Sequence, residues 1–495
     1  MTKFLVFAEQ IETGRKARFY YDNATSELTD EQGKPVPVPA SMPVQKFDWS
    51  NAKPAHATSK DAPGTKVRAL RKLKIQLGLN CNYDCGYCNQ RASLSASGRT
   101  VSGPEHVAEF VDCMPSWFDG GVQGDGSGVQ IEFWGGEPLV YWKTLKPLAE
   151  AIRQKYPRAQ FSVITNGSLL DAEKVEWLDA LGFSVGISHD GPGHKARGPD
   201  PLDDDQARAA IVMLIERLAP QGRVSINSMV HKDNPSRAAL NAWMVERFGP
   251  GVQIGEGGFI DPYDSGGLAQ SVPNQQWARE FSKHAFLEMR RALVRNMQIA
   301  SSKVMEFIES VATKRPASVL GQKCGMDRPD HMAVDLAGNV LTCQNTSAAA
   351  IAPNGQSHAL GSVADLDAAR LTTATHWSHR PDCPNCPVLQ LCKGSCMFLE
   401  GDLWDKGCDN AFADNIAFWA AGFEALTGFA PVFIDGHDGT VMREDRKDIF
   451  GLAATTRADE HIEQEHQTIK PSPRHTPLQA LPAAKAPVVI PIHPI

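Results

Sequence analysis

The sequence is poor in the features that would carry it to a membrane or a nucleic acid. No run of about 18 apolar residues occurs in its 495 positions, so hydropathy gives no membrane-spanning helix. The opening stretch from Met1 to Ala8 turns acidic at Glu9 and is too short for a secretory signal. Positive charge is not in excess either. Lys and Arg number 50 against 57 Asp and Glu, a formal charge of −7, which leaves no basic footprint for nucleic acid or anionic lipid. Neither partner is expected, and the chain is expected in the cytoplasm. Internal repeats are absent as well. An ordinary apolar fraction of 42% over this length permits a large core and two or more structural units.

Cysteine is plentiful, but not where secreted disulfide frameworks place it. Ten of the eleven fall in two clusters, in a long chain without an export signal, so metal binding in a reducing compartment is the reading that fits. Cys113 stands alone in Phe110-Val111-Asp112-Cys113-Met114 and is expected in the core, where free cysteine is commonly found.

The chain is organised around the first cluster. Ile75-Gln76-Leu77-Gly78-Leu79 reads as a strand, and Asn80-Cys81-Asn82-Tyr83-Asp84-Cys85-Gly86-Tyr87-Cys88 follows with the spacing C-x3-C-x2-C. Three thiolates on one short loop can hold three irons of a 4Fe-4S cube and leave the fourth open to a small molecule. Zinc knuckles and redox pairs also use short spacings, but no histidine or fourth cysteine stands nearby to close a tetrahedral zinc site. This spacing, with Tyr87 just before the last cysteine, resembles the radical S-adenosylmethionine (radical SAM) superfamily. The resemblance implies a 4Fe-4S cluster on Cys81, Cys85 and Cys88. It also implies S-adenosylmethionine chelating the open iron, and reductive cleavage to a 5′-deoxyadenosyl radical.

Strand-like and helix-like segments alternate after this loop: Val129 to Trp134, Leu145 to Lys155, Phe161 to Thr165, Asp171 to Leu181 and Ser184 to Ser188. The alternation continues through Asp204 to Leu218, Val224 to Val230, Arg237 to Phe248 and Val252 to Ile254. It requires parallel strands with right-handed crossovers. The expected fold is α/β, a partial (β/α)6 TIM-like barrel, which the radical SAM resemblance also implies, with an N-terminal β-hairpin cap and a C-terminal cysteine-rich domain. Its expected divisions are residues 1–33 (cap), 34–68 (linker, rich in Pro, Ala, Ser and Lys), 69–314 (barrel), 315–428 (cysteine-rich domain) and 429–495 (largely disordered extension). The segment from Asn274 to Lys314 reads as helical throughout.

Further motifs strengthen the resemblance. Trp134-Gly135-Gly136-Glu137-Pro138 matches the family's G-G-E-P, which implies that Gly135, Gly136 and Glu137 approach the methionine amino group. Ile164-Thr165-Asn166-Gly167 and Ser188-His189-Asp190-Gly191-Pro192 match T-N-G and S-x-D-G-P. They imply that Asn166 and Ser188 contact the cofactor. Arg197, which follows His194, is a candidate for the methionine carboxylate, with a solvated loop arginine as the alternative. Asn227 is a further candidate, with core hydrogen bonding as its alternative. Tyr87 is expected beside the adenine. No catalytic acid or base is assigned.

Cys324, Gly338, Cys343, Cys383, Cys386, Cys392, Cys396 and Cys408 resemble, in spacing, the seven-cysteine SPASM domain of peptide and protein maturases. A zinc ribbon would explain two short pairs but not seven thiols in this asymmetric order. The resemblance implies one auxiliary 4Fe-4S cluster on Cys383, Cys386, Cys392 and Cys408. A second would rest on Cys324, Cys343 and Cys396, bringing the total to three clusters. Residues 316–323 lack the eighth cysteine found in some relatives, so a substrate thiolate or an oxygen or nitrogen ligand is expected to complete the second auxiliary cluster. The implied function is a maturase that abstracts hydrogen from a ribosomally made polypeptide and forms a thioether or carbon–carbon cross-link. A flavodoxin- or ferredoxin-type reductant would be its partner. Formylglycine-forming sulfatase maturases are the nearest alternative. They carry an aspartate after the second cysteine of the domain, where this chain has Gln344, whose amide cannot accept a proton. A non-catalytic iron–sulfur carrier or a zinc scaffold are the rivals from other classes. Asp327, Asp330, His331 and Asp335 are assigned no role.

Overall fold

The computed structural model describes residues 2–40, 42–94, 103–249, 251–295 and 298–450. Its strands are β1 (Lys3–Glu9), β2 (Lys16–Asp22), β3 (Glu27–Asp30), β4 (Gly64–Thr65), β5 (Lys72–Gln76), β6 (Gln130–Trp134), β7 (Gln160–Thr165), β8 (Phe183–Ser188), β9 (Val224–Val230) and β10 (Gln253–Phe259). They continue with β11 (His331–Asp335), β12 (Asn339–Leu341), β13 (Ala359–Ser362), β14 (Arg370–Leu371) and β15 (Ala430–His437).

Strands β5 to β10 lie side by side in sequence order, every neighbouring pair parallel, with helices between them. This is the partial six-stranded barrel that the alternation requires. Ile131, Phe133, Phe161, Val163, Val185 and Ile226 occupy every second strand position and are buried against the helices. The helix Asp205–Leu218 answers with Ile211, Leu214, Ile215 and Leu218 on one face. The remaining strand positions, among them Gln130, Glu132, Ser162, Ser184, Ser225 and Asn227, line a cavity of about 240 Å³ on the opposite face.

Two strands depart from the sequence expectation. The first barrel strand spans Lys72–Gln76, ending before Leu77, because Lys72 and Lys74 alternate with Leu73 and Ile75. Their ammonium groups each lie 3.2 Å from the Glu132 carboxylate on β6. Strand β10 runs on to Phe259, and Gly255, Gly257 and Gly258 conceal it from a hydrophobic pattern.

The free edge of β5 is filled by β11, which pairs parallel to it, with β12 and β13 added antiparallel. The cysteine-rich half therefore shares the barrel's own sheet. Residues 34–68 are not a free linker either. Ala55 N–H donates to Ser318 O at 2.8 Å, Trp49 Nε1 to Thr313 Oγ1 at 3.1 Å, and His376 N–H to Thr58 O at 2.9 Å. Val36, Val38, Met42 and Val44 also pack, partly buried, against the helical core, so this strap is held by apolar contact as well as hydrogen bonds. Lys66 Nζ completes it, donating to the carbonyls of Met326, Arg328 and His331 at 2.6–3.0 Å.

The N-terminal strands form a four-stranded sheet in the order β15-β1-β2-β3. Its fourth strand comes from residues that composition assigned to a disordered extension. β15 pairs with β1 over seven positions, and Met442, Ile449 and Phe450 beyond it are buried. The expected tail from Glu460 onward lies outside the described residues. The segment expected to be helical from Asn274 to Lys314 is helical over Gln275–Arg295 and Gln298–Thr313, and both stretches pack on the long helix Gly401–Thr427. Cys113 corrects another expectation. On the helix Val107–Trp117 the inward positions are Val107, Phe110, Val111, Met114 and Trp117, which leaves Cys113 on the exposed side.

Trp419 anchors the join between this sheet and the helices. It is fully buried, with Tyr21, Phe307 and Phe423 at ring distances of 5.6, 5.7 and 5.2 Å. Trp419→Ala is expected to destabilise the chain by about 3–5 kcal/mol in denaturant unfolding, through lost burial and the cavity left behind.

Candidate cofactor and metal sites

The loop bearing Cys81, Cys85 and Cys88 leaves the carboxyl end of β5 and is held against the turn after β6 by main-chain bonds. Leu77 N–H donates to Trp134 O (2.7 Å), Gly136 N–H to Gly78 O (3.0 Å) and Glu137 N–H to Asn80 O (2.9 Å). The two glycines of the turn serve this approach differently. A Cβ on Gly136 would sit 2.3 Å from Asn80 O, whereas one on Gly135 would meet Gly78 O at 3.2 Å. Gly78 has a φ of +141°, and a Cβ there would meet the Tyr141 hydroxyl at 2.4 Å. That hydroxyl accepts the Asn80 N–H at 2.7 Å.

Glu137 is fully buried and turned toward the end of β7. Its carboxylate accepts from Leu139 N–H (3.0 Å), Thr165 Oγ1 (2.8 Å) and Asn166 N–H (2.7 Å). Burial lifts its pKa to about 6 against these donors. Asn166 extends the link by donating from Nδ2 to Asn82 Oδ1 on the cysteine loop at 2.9 Å. Gln90, two residues past the last cysteine, donates to Gly135 O and to Asn345 Oδ1, both at 3.0 Å.

Arg197 is not a solvated loop residue. It is largely buried and donates to Asp190 Oδ1 at 2.9 Å, with its Nε lacking a partner among the described residues. Asp190 also accepts from the Tyr87 hydroxyl and from Met229 N–H at 2.8 Å. Burial would raise the Asp190 carboxyl, but the Arg197 guanidinium and these donors hold it below the usual range. The Tyr87 ring has His231 at 5.2 Å and the Arg197 guanidinium at 5.6 Å, so this tyrosine is bonded inward rather than displayed. Ser188 ends β8 in register with Asn227. The Asn227 carboxamide lies between Gly186 and Gly255, where an added Cβ would fall 2.4 and 2.0 Å from it, and it faces the barrel cavity.

The expected thiols converge in three groups. Cys85 stands among Cys81, Cys88 and Arg197. Burial pushes its thiol up to about 12, opposed by Arg197 and reinforced by the two neighbouring sulfurs. Cys383, Cys386, Cys392 and Cys408 are mutual neighbours, and burial lifts Cys386 to about 12. Cys343 and Cys396 lie near Cys324, and the Tyr263 hydroxyl bonds Cys396. Three successive left-handed residues explain why Cys392 and Cys396 part company. Lys393, Gly394 and Ser395 have φ of 53°, 83° and 57°, which reverses the chain after the helical turn Leu389–Cys392.

Thiols that repel one another as anions, in pockets that disfavour charge, need cationic charge to become ligands. The Cys81, Cys85 and Cys88 set fits a cluster held by three sulfurs on this ground. Sequence reasoning left Asp190, Gln90 and Tyr263 without roles. Asp190 was visible inside the S-x-D-G-P motif, but nothing local announces the other two. A different group, His189, His194 and Asp200, also gathers beneath the cysteine loop. His189 lies 4.1 Å from the His194 ring and 4.8 Å from Trp243, and Tyr83 of the loop lies 6.3 Å from His194.

Comparison with known proteins bears on the family and the fold. Residues 75–236 match the family model described as the radical SAM superfamily. The radical SAM cyclopropyl synthase TigE of Paramaledivibacter caminithermalis is 21% identical over 174 residues, which cover 33% of this chain and 36% of that protein. GTP 3′,8-cyclase of Mycobacterium marinum is 30% identical over 118 residues, 22% of this chain and 30% of that one. The chain thus spans about a third of the length of these curated relatives. The solved structure of anSMEcpe with bound AdoMet aligns with a TM-score of 0.52 at 18% identity, covering 72% of this chain and 98% of that one. Its complex with AdoMet and Cp18Cys peptide gives 0.51 with the same identity and coverage, so the fold is shared.

Gly136→Ala is expected to displace the cysteine loop and strip the iron held by its three thiols, read as lower iron content after anaerobic reconstitution with the fold intact by circular dichroism. His194 tests the support below the loop. Both its ring nitrogens lack partners among the described residues, and burial first, then His189, lowers its pKa from 6.5 to about 4. The unfolded chain therefore takes up this proton first, and folding stability should fall by up to about 3 kcal/mol as pH drops from 6.5 to 4. Denaturant unfolding of His194→Phe should lack that component of the slope.

Proposed function

Because the chain is a radical SAM superfamily enzyme, whose chemistry uses a 4Fe-4S cluster and S-adenosylmethionine, we propose that it is a maturase acting on a ribosomally made polypeptide. It would abstract a hydrogen atom from a side chain and form a thioether or carbon–carbon cross-link. When bound, the cluster and S-adenosylmethionine supply the 5′-deoxyadenosyl radical that removes the hydrogen.

The observation that carries this reading is the gathering of seven further thiols in the half of the chain that extends the barrel sheet through β11. Cys383, Cys386, Cys392 and Cys408 would hold one auxiliary cluster, and Cys324, Cys343 and Cys396 most of another, three clusters in all. The second set is tied to the barrel. Gln76, at the end of β5, donates to Gln344 O and Thr346 O at 2.7 and 2.9 Å, directly after Cys343. The surplus electron of an oxidative cross-link needs an acceptor near the substrate, and this set stands beside the strand that feeds the cysteine loop. A one-electron reductant of flavodoxin or ferredoxin type would prime the enzyme.

The residues of the barrel mouth have defined work in this scheme. Gly135 and Gly136 let the turn close on the cysteine loop's main chain, and Glu137 and Asn166 fix it to the end of β7. Arg197, neutralised by Asp190, keeps an unpaired Nε–H for an anionic group of the cofactor. Asn227 offers a polar contact toward the cavity, and Ser188, in register with it, ends β8 at the barrel mouth. Gln344 argues against formylglycine formation, since its side chain is buried and cannot serve as a base.

Anaerobic enzyme, reduced with dithionite and given S-adenosylmethionine, should release 5′-deoxyadenosine. Cys88→Ala should reduce release to background, while Cys386→Ala should retain cleavage and lose modification of the peptide substrate, read by mass spectrometry. Cleavage that survives Cys88→Ala would remove the basis of the proposal.

A further inference from the structure

A second cavity, of about 320 Å³, opens between the helices Gln275–Arg295 and Gly401–Thr427 and the segment that follows β15. Arg446 forms part of its wall, together with Arg279, Lys406 and Asp409, while Cys408 does not line it. On its inner side Arg446 Nη2 donates to Cys408 Sγ at 3.3 Å, and the same nitrogen lies 3.2 Å from Asp409 Oδ1. The guanidinium stands 4.6 Å from the centre of the Phe412 ring, and the residue is only 4% exposed. Its charge reaches Cys386 as well. Arg446 thus applies a buried cation to Cys408 and Cys386 from outside, on a segment that contains no cysteine, while Arg380 acts on Cys383 from another side.

We propose that Arg446 is a positioning residue that raises the reduction potential of the cluster held by Cys383, Cys386, Cys392 and Cys408. The inference rests on the reading that these four thiols hold a cluster. Adding an electron makes the cluster and its sulfurs more negative. A charged N–H···S bond, in a site with little water to screen it, therefore stabilises the reduced state more than the oxidised one. Arg446 also stands between Cys408 and the cavity, which keeps solvent from replacing that bond. A clamp whose only task is to pair with Asp409 would hold the C-terminal segment in place and leave the potential unmoved.

The test is a redox titration of the full chain, reconstituted anaerobically with iron and sulfide and followed by electron paramagnetic resonance. The signal lost in Cys386→Ser identifies the cluster in question. Arg446→Gln should shift its midpoint to lower potential at unchanged iron content, and Arg446→Lys should shift it less. An unmoved midpoint in Arg446→Gln overturns the proposal. Should Arg446→Gln fail to retain iron, the neutral and similarly long Arg446→Met decides: a midpoint below that of the unmodified chain supports the proposal, and an equal one overturns it. Iron content and signals identical in Cys386→Ser and the unmodified chain would instead defeat the underlying cluster reading, whatever Arg446 does.

Discussion

The approach of two backbones at Gly136 and Asn80 is the constraint on which the rest of the site depends. An added methyl group would fall 2.3 Å from the Asn80 carbonyl, so the turn after β6 and the cysteine loop after β5 can meet only through glycine. Their hydrogen bonds prolong the β5–β6 pairing beyond the strands and place three thiols at the carboxyl ends of parallel strands. In barrels of this kind that end is where chemistry is assembled. Glu137, Asn166 and Gln90 then act as braces. Each is committed to main-chain, amide or hydroxyl groups that fix the loop from another side.

A second constraint separates the remaining thiols. Cys392 and Cys396 lie only four positions apart, yet the left-handed run Lys393-Gly394-Ser395 directs them into different groups. Two of those three residues are not glycine, and each such conformation costs of order 1 kcal/mol or more. The surrounding structure sustains that cost, because the interleaving ties the short helix Leu389–Cys392 to the long helix that carries Cys408 and, through Cys396, to Tyr263 beyond β10. The strap at residues 34–68 and the pairing of β15 with β1 close the assembly from both ends of the chain.

Much of this was legible in the sequence because it is locally encoded. Alternation in Gln130–Trp134 and Val224–Val230 located strands, the 3.6 period in Asp205–Leu218 located a helix, and cysteine spacing located the thiols. What escaped notice depends on pairing between distant residues. β11 adds to β5 across more than 250 positions, and no pattern within His331–Asp335 names its partner. β15 pairs along the edge of β1, and its short Val432-Phe433-Ile434 run was masked by the Pro-, Gln- and Ala-rich composition of the region that follows it. Lys66 and Arg446 read as ordinary surface cations until the groups they face are known. Cys113 failed in the opposite sense, since apolar neighbours suggested burial and the helical period turned it outward.

The central claim is that Cys81, Cys85 and Cys88 hold a cube with one iron left for the cofactor. Mössbauer spectra of the iron-57-reconstituted chain, recorded with and without S-adenosylmethionine, test it most directly. The account predicts that one iron site of a single 4Fe-4S cluster changes its isomer shift on addition, and that Cys85→Ala abolishes the change. Thiol sites filled by zinc, or a first cluster whose four irons are unaffected by S-adenosylmethionine, would contradict it.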